Sequence, residues 1–314
     1  MTSACPVSVI VAVEHSVENV AEILSSLNPS AHPEVEFIFC HASVSTATAS
    51  SSPLAGLGPL PANVTALASP PASRIPHMWR DGLLAAQSEW VALLSAHCVP
   101  SPSWMQAVLA LQFAPTDAGI GGYLTNSSDA LAPDWAIYLL RYVNYSLPRS
   151  LEEVSNIAAD NAVYRRSEIL RHPEILAHGF WEPELHREFF ATGFRLRLSA
   201  TLEVIHRNRY SVTAFARQRR DHGLEFGSDR ARRLGNGRLA VYLLASPLIA
   251  MILFAKVRVG MAHAGWGRQV PFGTSFLLAY FSLHWAFGET CGLAREFGAR
   301  TGLTSWKKSA SKSR

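Results

Sequence analysis

An α/β domain with a mixed sheet flanked by helices, followed by an apolar helical hairpin, is the architecture this sequence predicts. Three observations carry it. Short β-branched runs alternate with helical periodicity through about residue 206, the signature of strands and helices in alternation. The first of these runs, VSVIVAV at 7–13, is apolar throughout, as a central strand buried on both faces requires. After residue 238 the character changes to two long stretches almost free of charge.

The elements follow in order. After the first strand, Ser16 is placed to cap a helix in which Val17, Val20, Ile23, Leu24 and Leu27 recur at helical spacing, and Asn28-Pro29 ends it. Residues 35–39 read as a second buried strand, completing a βαβ unit. Residues 42–73 are rich in Ser, Ala, Pro and Thr and read as a loop-dominated insertion holding one short strand at 64–68. A helix around 80–87 leads into a strand at 90–94 that ends in Ser95-Ala96-His97. Pro102 marks the first turn of the next helix, with Trp104, Val108 and Leu111 inward. AGIGGY at 118–123 reads as a strand whose glycines admit close neighbours. A helix at 134–145, a strand at 161–165, a helix at 183–192 ending at Gly193, and strands at 195–198 and 202–206 complete the domain. His222-Gly223 reads as the end of a further helix. The expected boundaries are 1–230 for this domain, 231–295 for the hairpin and 296–314 for a basic tail.

Composition narrows the class. Four scattered cysteines without a CxxC pair argue against a disulfide framework or a zinc ribbon, and Cys98 beside His97 reads as packing. No basic leader precedes the short run at 7–13, so the domain is expected in the cytosol and the sequons at Asn63, Asn126 and Asn144 are expected to go unused. Nine arginines lie between Arg207 and Arg238 against Asp221, Glu225 and Asp229. No groove-reading motif accompanies them, so nucleic acid is not an expected partner and anionic lipid is. The runs at 239–255 and 270–288 would reach roughly 25–28 Å as helices, near the lower limit for a bilayer core. Pro247 should kink the first, while Lys256, Arg258 and Arg268 in the connection would permit a shallow re-entrant hairpin instead of a span. A buried hairpin against the domain is the plain alternative. Basic residues before the first run and in the tail place both ends on the cytoplasmic side.

Several fragments, in this order, resemble family-2-type glycosyltransferases of the GT-A fold: VSVIVAVEHS, VEFIFCHAS, the Arg80-Asp81-Gly82 helix with its strand and Ser95-Ala96-His97, AADNAVYRR, GFWEPELH and, weakly, RQRRDHG. The resemblance covers roughly residues 6–230. It implies an inverting transfer of a sugar from a nucleoside diphosphate to an acceptor hydroxyl; membrane anchoring suggests a lipid or lipid-linked glycan as acceptor. It places the nucleotide sugar at Ala12, Val13, Glu14, Cys40, His41, Arg80, Ser95 and Ala96. It gives His97 and His206 to a divalent metal, Mn²⁺ or Mg²⁺, and Glu182 to the catalytic base with Glu184 as competitor. Trp181, Asn161, Arg219 and Arg220 fall to the acceptor or diphosphate.

The chemistry of these residue types agrees with those roles. A leaving diphosphate needs its charge neutralised, and hard divalent ions favour oxygen donors, with imidazole acceptable to manganese. A carboxylate beside Trp181 in an apolar cleft suits general-base work, although acids at 182 and 184 also complement a helix N-terminus. Arginines at 219 and 220 suit a diphosphate by charge-assisted hydrogen bonds, and equally a solvated face. Three departures from the family pattern stand out: Ser95 where an acid is expected, weakening the metal site; Cys40 or His41 where an acid would read the base; and Pro183 in place of a second acid. They support a rival reading, a catalytically degenerate membrane scaffold or partner subunit. A nucleotidyltransferase would need a glycine-rich lysine loop after the first strand, and none is present.

Overall fold

A computed structural model describes residues 6–14, 17–43, 54, 57–207, 211–266 and 269–301. Ser16, Arg268 and residues 302–314 of the expected basic tail lie outside the described residues, while residues 296–301 are helical. The chain forms two compact units, one from 1–128 and 144–208, the other from 129–143 and 209–314. The arginine-rich stretch after 208, which the sequence groups with the first domain, folds in the second unit.

The first unit is α/β with a mixed sheet, as expected. Its elements begin with β1 (Ser8–Val13), α1 (Val20–Leu27), β2 (Glu36–Ala42), β3 (Val64–Ser69), α2 (Ile75–Ala85), β4 (Trp90–Ser95), β5 (Cys98–Pro100), α3 (Trp104–Leu109) and β6 (Asp117–Asn126). The chain leaves for α4 (Ala132–Tyr142) of the second unit and returns with β7 (Leu151–Val154), β8 (Asn161–Arg165), α5 (Arg166–Leu170), α6 (Pro173–Leu176), α7 (Glu182–Ala191) and β9 (Arg195–His206). Strand order is β3-β2-β1-β4-β8-β6-β9-β5, with β7 also against β9. The first four strands are parallel, and β8 runs antiparallel to both β4 and β6.

Details depart from the sequence reading where packing overrides local signals. Pro102 lies in a turn, and α3 starts at Trp104, whose buried indole donates to Asn161 Oδ1 (2.8 Å). The two strands expected at 195–198 and 202–206 are one, because β9 changes register against β6 near Gly121–Tyr123 without breaking. Gly82 brings α2 onto the sheet: a Cβ there would lie 2.4 Å from Ile10 Cγ2 and 3.0 Å from Cys40 Sγ.

The second unit contains α4, α8 (Val212–Arg233), α9 (Asn236–Ala245), α10 (Leu248–His263) and α11 (Thr274–Thr301). It is not the simple two-helix hairpin the hydropathy suggests. The first apolar run breaks at Ser246-Pro247 into α9 and α10, bent by 69°, since Pro247 has no N–H to carry the ladder on. No single described helix is long and apolar enough to cross a membrane. The second run continues into a helix that passes Glu289 and ends at Thr301.

Helix α8 does not end at Gly223. It continues to Arg233, because Gly223 and Gly227 admit the backbone of α11 while Gly288 and Gly292 admit that of α8. Contact with a neighbouring backbone outweighs the roughly 1 kcal/mol helix penalty of glycine. The pairings ascend together along both helices, so α8 and α11 run parallel. A Cβ at Gly288 would lie 2.0 Å from the Arg220 carbonyl oxygen. Gly288→Ala is therefore expected to push the helices apart at a cost of about 1–3 kcal/mol, read as a lower denaturation midpoint and faster proteolysis within 212–301.

The arginines of α8 are largely matched within this unit. Arg230 pairs with the buried Glu289 (2.5 Å), Arg232 with Asp229 (3.5 Å) and Glu296 (3.8 Å), Arg233 with Asp229, and Arg220 with Asp221 (3.0 Å).

Candidate active site

Parallel strands bring the carboxyl ends of β1, β2 and β4 to one edge, where Ala12 stands opposite both Cys40 and Ser95. Strand β8 enters at that same edge, since Leu94 pairs with Asn161. The chain leaves β1 for β2 on one side while β4 lies on the other, so the edge beside Ala12 is a topological switch point, where open α/β sheets bind ligands.

At that point the structure assembles a cluster the sequence did not disclose. Ser95 Oγ lies 3.1 Å from His97 Nε2 and donates to Asp160 Oδ1, and the same carboxylate oxygen is 3.4 Å from His97 Nε2. Ligand atoms of His97, Cys98 and Asp160 all fall within 4.8 Å of one another. Asp160 directly precedes β8 and stands beside Ser95, so a carboxylate missing from the strand end is supplied by the neighbouring strand's entry. Strand pairing, not sequence proximity, puts it there.

The turn carrying His97 is pinned from several sides. Ala96 N donates to Ala12 O (2.9 Å), and the buried Asn19 donates from Nδ2 to both Ala96 O and Arg207 O (2.9 Å each). Arg207 N in turn donates to His97 O (2.8 Å). Both backbone groups of Ala96 are thus engaged, and its contribution to a cleft is its small size. His206 ends β9 opposite Cys98; its ring meets that of His97 edge-on at 5.9 Å, and its Nδ1 lies 3.3 Å from Asn126 Oδ1.

Glu182 reaches the same loop. It opens α7, and its Oε1 accepts from Ala159 N (2.5 Å), one residue from Asp160. Phe180 N donates to Pro76 O (2.8 Å), and Gly179 sits against Pro76 with a φ of 112°. These contacts hold the approach to α7 on α2, which itself is tied to β4 by Trp79 Nε1 donating to Leu94 O (2.8 Å). Ala96 and Glu182 therefore belong to one continuous network.

Burial and then the negative Glu182 push the phenols of Tyr145 and Tyr164 upward, so both stay protonated. Tyr164 Oη lies 3.0 Å from His186 Nε2, and His186 Nδ1 lies 3.3 Å from Asn156 Oδ1. Burial lowers the His186 pKa to about 3, which keeps the imidazole neutral. In the unfolded chain it would protonate near 6.5. Its folded pKa is depressed, so its contribution is complete above pH 6.5 and is lost as pH falls toward 3. We expect a loss on the order of 3–4 kcal/mol between those values, seen as a steeper pH dependence of unfolding in the wild type than in His186→Gln.

The remaining expected residues have varied surroundings. Cys40 faces the core beneath Gly82, and burial with nearby Asp81 pushes its thiol up to about 12, so it is inert packing. A continuous apolar strand alternates faces, and Cys40 falls on the helix-covered one. Asn161 is spent inside the sheet, donating to Tyr123 O (2.9 Å) and Leu202 O (3.1 Å) and accepting from Trp104. Gly122 leaves it that space. Val13 and His41 stand opposite each other at the strand ends, and half-buried Glu14 follows β1. His41 Nδ1 is 3.2 Å from Ala42 O. Arg80 is held by Asp81 (2.7 Å), and Trp181 Nε1 donates to His178 O (2.8 Å). Half-buried Glu184 donates its backbone N–H to Trp181 O within the first turn of α7. In the second unit, Arg219 lies 4.1 Å over the Trp285 ring, and burial beside Arg141 lowers it to about 9. Arg220 is exposed.

The donor set fits a divalent cation. Imidazole, carboxylate and hydroxyl suit manganese, and atoms about 3–3.5 Å apart match neighbouring ligands on one ion. The Cys98 thiol adds a softer donor that would favour zinc.

No protein-family model and no curated protein matches the chain. Among solved structures it is similar to S. aureus TarS 1–349, at 14% identity and TM-score 0.44, covering 70% of this chain and 65% of that one. It is also similar to S. aureus TarS at 14% identity and TM-score 0.46, covering 70% and 39%. A third is the mannosyltransferase PcManGT from Pyrobaculum calidifontis in complex with GDP-Man and Mn2+, at 15% identity and TM-score 0.47, covering 95% and 87%. The chain spans less than two thirds of either TarS chain.

Proposed function

We propose that the first unit is a GT-A-type glycosyltransferase that moves a sugar from a nucleoside diphosphate to an acceptor hydroxyl with inversion. The observation that carries this reading is the Asp160 carboxylate beside Ser95 and His97 at the switch point. It restores the anionic donor whose absence from the strand end counted most against activity. The ordered sequence fragments supply the reaction class.

A divalent cation held by His97 and Asp160 would neutralise the charge of the leaving diphosphate. Ser95 orients the carboxylate by donating to it, and Asn19 fixes the turn that carries the imidazole. Glu182, anchored through Oε1 on Ala159 N, accepts the acceptor's hydroxyl proton as its oxygen bonds to the anomeric carbon and the bond to diphosphate breaks. Attack opposite the leaving group inverts the configuration. A lipid or lipid-linked glycan is the acceptor we favour, on the apolar character of the second unit, and the cytoplasmic face of a membrane is the location that follows.

The missing acids at Ser95, at Cys40 or His41 and at Pro183 favour a second reading, a catalytically degenerate subunit that binds ligand without turning it over. Nucleoside diphosphate release from a panel of sugar donors, with Mn²⁺ and membrane extract, separates the two. Release that depends on donor and metal supports transfer. Thermal stabilisation by nucleotide without release supports the binding subunit, and neither effect with any donor sinks both.

A further inference from the structure

Positions 230–288 hold no Asp or Glu, yet several Arg and one Lys. In the same stretch large apolar side chains face outward: Leu244 is 83% exposed, Met251 67%, Phe272 98% and Phe276 75%. Val241 and Ile252 join them. A helix pair this apolar inside a soluble core would be buried, and this one is not. Arg238, Lys256 and Arg258 are exposed on the same helices, α9 and α10, and no acid in the stretch is available to pair with them.

We infer that α9, α10 and the start of α11 form a monotopic docking surface that enters one anionic lipid leaflet without crossing the bilayer. Length is the first argument. Helix α9 has 10 residues and α10 has 16, about 15 and 24 Å, against roughly 30 Å of hydrocarbon. The 69° bend prevents them from adding into one span. Charge is the second: a crossing by α10 would bury Lys256 and Arg258 in hydrocarbon, whereas an interfacial helix lets both reach headgroups. The same charges disfavour a second copy on this face, because a two-fold contact would oppose basic patches with no acid to relieve them. Apolar side chains with exposed cations and no anions match an anionic leaflet, where each headgroup-facing basic residue adds about fivefold to binding.

The test floats the full chain with phosphatidylcholine vesicles, with and without phosphatidylglycerol as a third of the lipid. We expect binding that is stronger with phosphatidylglycerol and weakened by salt. Leu244→Glu with Met251→Glu should weaken binding at least about tenfold on both lipids. Arg238→Glu with Arg258→Glu should weaken it chiefly on the anionic one. All four side chains are exposed, so helicity by circular dichroism should be unchanged. A fluorophore on Ile252→Cys, with Cys5 and Cys291 replaced by Ser, should be quenched by shallow nitroxide lipids and not by midplane ones. Absence of flotation, flotation indifferent to Leu244→Glu, midplane quenching, or a dimer in light scattering that Leu244→Glu dissolves would each overturn the inference. No substrate enters the assay, so its failure leaves the transferase reading standing.

Discussion

Glu182→Gln is expected to lower turnover about 10²–10⁴-fold while leaving donor affinity and thermal stability nearly unchanged. The amide keeps the size of the side chain and its carbonyl oxygen still accepts from Ala159 N. What it loses is the capacity to take a proton. The split between turnover and binding is therefore the informative measurement. Glu184→Gln is the control, since Glu182 is the acid the structure brings to the loop beside Asp160. A larger loss at Glu184 would move the base two positions along the first turn of α7, and equal small losses would leave the binding reading in possession.

Asp160→Ala carries the second large expectation, a loss of about 10³-fold in metal-dependent turnover, because a carboxylate ligand is removed and Ser95 offers only a neutral hydroxyl. Manganese titration should show weakened saturation, and chelation should abolish activity in the wild type. The sharper experiment exchanges the two groups. Because Ser95 Oγ donates directly to Asp160, Ser95→Asp with Asp160→Ser moves the carboxylate across the pairing of β4 and β8. Partial recovery of manganese affinity over Asp160→Ser alone is the expected result. A double variant no better than the single one would mean that Asp160 merely orders the loop, and the site would lose its main support.

Much of the first unit was legible because its signals are local. A central strand buried on both faces must be apolar throughout, and residues 7–13 are; amphipathic spacing at 17–27 and the glycines at 119–122 were equally direct. Strand β5 and β7 escaped because three or four residues carry no periodicity, and both exist only by pairing with β9. In the second unit Gly223 and Gly227 sit four apart, as do Gly288 and Gly292, but spacing alone does not say which helices they join.

The sequence by itself determined the α/β alternation, the polar end of β4, the acid at Glu182 and the basic, acid-free apolar region after 230. Tertiary structure alone decided that Asp160 faces Ser95 and His97, that Cys40 turns into the core, and that α8 lies along α11. The physical reason is range. Periodicity and composition report on neighbours along the chain, whereas a ligand cluster depends on which strand ends the sheet brings together. That register is fixed by the antiparallel pairing of β4 with β8, Leu94 opposite Asn161, which no local pattern encodes.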